Sequence, residues 1–218
     1  MVCSRTVTLS SLAAACIASA SGAAVVPITS NTALSTEGLG AFMGTLNYTY
    51  LGGTSGQLDV TLTNTTDASI GGYITAFMFR PPPELGAFGC SLSSSDFAAM
   101  TDIPAGSSGS PFTGSWIGGA GTGGSWLAGG APGGGIGIGQ TGSFSFAISG
   151  ANASLLSSDA FVSGSLVSDP YAFIVRFRGM NDDGSDKVPA NELPAPGAVA
   201  LLAMAGLGNG RARRRDRA

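Results

Sequence analysis

The chain contains no histidine. That absence removes the commonest general base, the usual partner of a serine nucleophile and the commonest metal ligand together. Charge is scarce, at 11% Asp, Glu, Lys and Arg. Between Val25 and Glu192 only Arg80, Arg176, Arg178 and Lys187 are basic, against twelve acidic residues, so this stretch carries a formal charge of −8. Such a balance argues against nucleic acid or an anionic membrane surface as a partner. Cysteine is nearly absent as well. Cys3 and Cys16 fall in an N-terminal segment that reads as a removable leader, which leaves Cys90 alone and permits no internal disulfide. Long apolar runs are missing too: none approaches the roughly 20 residues of a membrane-spanning helix. Long helical periodicity is also absent.

What the chain has is glycine, 35 residues of it, and strand pattern. Gly56 to Asn64 alternates Leu58, Val60 and Leu62 with Asp59, Thr61 and Thr63, the period-2 signature of a half-buried strand. Ser143 to Ser149 repeats it with Phe144, Phe146 and Ile148. Tyr171 to Gly179 sets Phe173, Val175 and Phe177 on one face and Arg176 and Arg178 on the other. Leu46, Tyr48 and Tyr50 offer a fourth strand. Tyr73 to Phe79 is apolar on both faces, as a central strand is, and ends at Pro81-Pro82-Pro83. Seven or eight short strands separated by turn residues predict an all-β domain, an antiparallel β-sandwich of immunoglobulin-like architecture, over residues 25–190.

One segment breaks this pattern. Half of the residues from Gly114 to Gly139 are glycine, and Gly-Ser-Trp occurs there twice, at 114–116 and 124–126. It lacks the lysine and the strand-to-helix setting of a phosphate-binding loop. Trp116 and Trp126 offer two indoles that would stack on sugar faces if the segment were a free loop. The competing expectation is that they pin the loop to the sandwich, since Trp buries well and Gly permits close approach.

The sequence offers little chemistry elsewhere. Two carboxylates facing across a cleft hydrolyse glycosides, but none of the twelve acids sits in a distinctive motif. Asn181 to Asp186 places oxygen side chains at alternate positions, yet a calcium loop needs Gly at its sixth position and this one has Gly184 at its fourth. A solvated turn is predicted there. No catalytic residue, metal ligand or cofactor is assigned, and the domain is expected to be non-enzymatic.

The two ends differ from the middle. Residues 1–24 combine an early cation, Arg5, with an apolar centre from Val7 to Ile17 and small residues after it, the layout of a secretory signal peptide. Residues 191–218 hold Pro194-Ala195-Pro196-Gly197, an apolar run from Ala198 to Gly208, and a cluster of Arg211, Arg213, Arg214, Arg215 and Arg217. As a helix the run would measure about 16 Å, against about 30 Å of bilayer hydrocarbon, so it predicts at most a weak anchor held by its arginines on the cytoplasmic side. This order of Pro-x-Pro, short apolar run and terminal arginines resembles the PEP-CTERM sorting signal of bacterial surface proteins. The tripeptide departs from the family pattern in having Ala195 where the family has Glu.

The resemblance implies an exosortase-type processing enzyme as partner, transient insertion in the inner membrane, and residence at the cell surface or in the extracellular matrix in association with exopolysaccharide. The alternative is a carbohydrate-binding module using Trp116 and Trp126. A hydrolase built on an acidic pair ranks third.

Overall fold

The computed structural model describes residues 24–127, 130–166 and 169–193. Twelve strands follow one another: β1 (Val26–Ser30), β2 (Phe42–Gly52), β3 (Ser55–Asn64), β4 (Gly71–Phe79), β5 (Gly89–Ser95), β6 (Met100–Ile103), β7 (Gly118–Thr122), β8 (Thr141–Ser149), β9 (Ser163–Leu166), β10 (Asp169–Tyr171), β11 (Phe173–Met180) and β12 (Ser185–Glu192). Helical structure among the described residues is confined to five 3-10 turns of three residues each.

The alternating segments form strands for the reason the sequence suggests. In β3 every second side chain, Leu58, Val60 and Leu62, is fully buried, while Asp59, Thr61 and Thr63 reach the outer face. The outer rows are tied strand to strand by hydroxyl pairs, Thr45 with Thr61 at 2.6 Å and Thr63 with Thr141 at 2.7 Å.

The architecture differs from the expected immunoglobulin-like sandwich. Ten strands form one continuous antiparallel ladder in the order β5-β8-β3-β2-β1-β12-β11-β4-β7-β6, and a short β9–β10 pair stands apart. A sandwich needs two separate sheets. Here β1 pairs with β2 on one side and with β12 on the other, so the two halves never part. The ladder curls until its first and last strands meet, giving a nearly closed barrel.

The seam between those edge strands is held by side chains rather than a ladder. Leu92 N–H donates to the Asp102 carboxylate at 2.8 Å. Beside it the Cys90 side chain fills the space over Gly118, where a Cβ would come within 2.5 Å of the sulfur. Burial, then the nearby Asp102 charge, push the Cys90 thiol up to about 12, so it is a packing group and not a nucleophile at neutral pH.

Closure brings aromatic rings from opposite walls together. Phe77 of β4 meets Phe144 of β8 edge-on at 4.8 Å across the barrel and stacks on Phe173 of the neighbouring β11 at 5.7 Å. Phe79 meets Phe146 edge-on as well, at 4.8 Å. The barrel interior is thus a packed aromatic and aliphatic core.

One end of this core is sealed by Asp186, which is fully buried. Its carboxylate accepts hydrogen bonds from the backbone N–H groups of Glu37, Leu39 and Gly40 at 3.0, 2.8 and 2.9 Å and from the Thr36 hydroxyl at 2.9 Å. It also accepts one from the N–H of Lys187 at 2.7 Å. Burial opposes its charge, but these donors together hold it below the usual carboxylate range. Asp186 thereby fixes the loop joining β1 to β2.

Candidate functional site

The wall formed by β4 and β11 is apolar outside as well as inside. Ala76, Met78 and Ile174 point away from the barrel, and left bare they would expose a hydrophobic patch. They are covered by the chain that crosses over after β6 and again after β7. Phe112, Trp116 and Trp126 pack on them and on Ile103 to form a second core outside the barrel.

This placement decides the role of the two tryptophans. Trp116 is 1% exposed and Trp126 is 2% exposed, so neither presents a face on which a sugar would stack. The alternative of a carbohydrate-binding module on Trp116 and Trp126 is therefore corrected: as the competing expectation had it, the indoles pin the crossing segment to the wall. The Trp126 indole N–H donates to the Ser110 carbonyl at 3.0 Å. Trp116 is sandwiched between Gly109, where a Cβ would lie 2.2 Å from its indole nitrogen, and the Arg80 guanidinium, 5.2 Å from its ring centre. The glycines serve this contact. A Cβ at Gly119 would come within 2.0 Å of the Phe77 carbonyl oxygen.

Three of the four central cations lie on the same outer wall. Arg176 stands directly opposite Lys187 in the β11–β12 register, and Arg178 lies two residues along the same face. Arg178 donates to the Gly130 carbonyl at 2.9 Å. The Arg176 guanidinium donates from Nη1 to the Trp126 carbonyl, so both arginines hold the covering segment. Arg176 is nevertheless unusual. It is 9% exposed, and its Nε–H is buried with no acceptor. Burial, and then the neighbouring Arg178 charge, lower its pKa from the ordinary guanidinium value. Among the described residues no carboxylate pairs with Arg176 or with the Lys187 ammonium. Like charges directly opposite on a sheet repel, and a buried charge without a counter-charge costs several kcal/mol by general estimates.

Two surface hollows flank this wall. A groove of about 640 Å³ opens at the barrel end where β4 finishes, between the loop after β4 and the loop after β6. Its lining side chains are apolar apart from Arg80 and Ser115. A shallower cleft of about 420 Å³ surrounds the exposed Tyr73, which stands across from Arg178 in the β4–β11 register.

Several carboxylates are engaged locally, each with its own partners. Asp59 accepts from Gln57 at 2.9 Å and Ser145 at 2.7 Å, Asp96 from the Ser143 N–H at 3.0 Å, and Asp67 from Ser69. In the β11–β12 turn Asp182 accepts from the Gly184 N–H at 2.9 Å, and Asp183 adopts a left-handed φ of 61°. These oxygens therefore shape the turn, while Asp186 points into the core.

The sorting residues Pro194, Ala195, Pro196, Gly197, Arg211, Arg213, Arg214 and Arg215 lie outside the described residues, as does the segment read as a signal peptide. The expectation built on them is corrected by what the rest of the chain forms. Among the described residues no helix is long and apolar enough to cross a membrane, since the 3-10 turns fall far short of the ~20 residues required. The chain builds a nearly closed β-barrel that gives no support to an exosortase-dependent route or an inner-membrane anchor. Location at the cell surface and association with exopolysaccharide were expected from those same segments, and the barrel adds no support for them. No family model, curated protein or solved structure matches this chain.

Sequence reasoning placed Arg176 and Arg178 on one strand face but did not single them out. The available signal was their crowding: with Lys187 they are three of four cations in 168 residues, gathered within twelve positions.

Proposed function

We propose that this chain is a non-catalytic binding protein whose barrel wall takes an oxyanion-bearing ligand at Arg176 and Lys187. The observation that carries this reading is the Arg176 guanidinium, nine-tenths buried, with an unpartnered Nε–H and no counter-charge among the described residues. A carboxylate, sulfate or phosphate oxygen accepts strongly from a guanidinium, whose planar donors match such groups in pairs. An anion here would also relieve the repulsion between Arg176 and the facing Lys187. The filled interior favours the same side of the wall, because aromatic side chains occupy the space a lumen ligand would need. A non-catalytic role is supported by Asp59, Asp96, Asp102 and Asp186, which are committed one at a time to holding loops and strands rather than facing one another across a cleft.

The test is a titration of the full-length protein, labelled with ¹⁵N in arginine, with sulfate and with acetate at constant ionic strength. The reading expects a saturable shift of the Arg176 Nε–H resonance with at least one anion, weakened several-fold by Lys187→Ala. An Arg176 signal that moves no further than it does with chloride would remove the site from consideration.

A further inference from the structure

We propose that the groove at the end of β4 is the docking site for the chain's own apolar run, Ala198 to Gly208. The proposal is independent of the oxyanion site and concerns a different surface. Three observations carry it.

The first is position. β12 ends at Glu192, and Leu193 N–H is fixed to the Pro27 carbonyl at 2.9 Å, which sets where the chain leaves the barrel. At that end the Arg80 N–H donates to the Ala172 carbonyl at 2.9 Å, while Ile174 of the same strand pairs with Pro189 of β12. Arg80, which lines the groove, thus lies two strand spacings, about 10 Å, from the level of Asn191, two residues before the exit point. The four residues Pro194 to Gly197 span up to about 13 Å when extended, so the apolar run begins within reach of the groove.

The second is chemistry. Pro81, Phe88, Ala105, Trp116 and Ile117 give the groove a wall suited to aliphatic side chains, and Val199, Leu201 and Leu202 open the run. At about 640 Å³ the groove falls in the range of clefts that enclose a small ligand, enough for a few such side chains. Burial there removes apolar surface from water on both partners.

The third is charge. The five arginines after the run, Arg211 to Arg217, are tethered to a stretch with a formal charge of −8. The attraction draws the tail back to the barrel surface.

The experiment compares the full-length protein with Leu201→Asp/Leu202→Asp, using methyl-labelled NMR and hydrogen exchange. The docked tail predicts cross-peaks between the Ile117 methyl and methyls of Val199, Leu201 or Leu202, absent in the double variant. It also predicts amides of residues 198–208 exchanging about tenfold more slowly in the parent than in the variant. Ala105→Glu, a change at an exposed groove position, is expected to release the tail in the same way without disturbing the barrel spectrum. Two results overturn the proposal. One is the absence of any cross-peak or exchange difference. The other is cross-peaks that arise only between differently labelled copies in a mixed sample, which would give the groove to a second molecule.

Discussion

The molecule has two hydrophobic cores that touch opposite faces of the same strands. The inner one is built from β-alternation: Phe77, Phe79, Phe144, Phe146 and Phe173 project inward at every second position and meet when the barrel closes. The outer one is built from a crossing segment rich in glycine, which lays Phe112, Trp116 and Trp126 on Ala76, Met78 and Ile174. The inner core is made by strands that hold one another in register. The outer core is made by chain with little ladder of its own, anchored by indoles and by guanidinium bonds to the Trp126 and Gly130 carbonyls. Glycine in that setting is selected by close approach as much as by freedom of turn.

Breaking the two cores should therefore look different. Phe77→Ala is expected to cost about 4 kcal/mol of global stability, because it opens a cavity among rings from three strands. Urea unfolding with an unchanged slope and a lower midpoint is the check. Asp186→Ala should follow at about 3 kcal/mol, since it strips five donors of their acceptor. The same group predicts the acid limb of stability. Its pKa is lowered in the fold, so its contribution is present in full above the unfolded carboxylate value and is lost as pH falls through the folded one. The parent should lose stability steeply on acidification below about pH 4, and the alanine variant should lose less.

Substitutions in the outer core should be smaller in effect and more local. Gly109→Ala would drive a Cβ to 2.2 Å from the Trp116 indole nitrogen and 3.0 Å from Ile174, costing about 2 kcal/mol. Near-UV circular dichroism from the tryptophans should weaken while far-UV intensity is retained. Gly133→Ala is the counterpart, because nothing lies within 4 Å of its added Cβ. It should change stability by less than about 0.5 kcal/mol, and a large loss there would mean that backbone freedom, not close approach, is what the glycines supply.

Local structure was legible in the sequence and closure was not. The alternation of β3 and β8 and the two-faced apolarity of β4 identify strands, because burial on one face or both leaves a period that composition records. Whether strands form two sheets or one depends on pairings such as Ile28 with Glu192, between residues far apart whose side chains carry no mark of it. The apolar outer face of β4 hinted that something covers it, and the paired tryptophans hinted that the glycine-rich segment is pinned down, but nothing in the sequence joined the two. Two tryptophans in a glycine run left an open binding loop as an alternative, and their burial decides for the pinned one. Arg176 was visible as an outward-facing charge; its burial was not, since that comes from chain crossing over it.

The central claim is that the segment carrying Trp116 and Trp126 is a fixed cover on the barrel wall. These are the only two tryptophans in the chain, so acrylamide quenching of the native protein reports on them alone. Blue-shifted emission that resists quenching until the protein unfolds is the predicted result. Red-shifted emission, quenched in the native protein as readily as in the unfolded chain, would contradict the account and return the segment to an open loop.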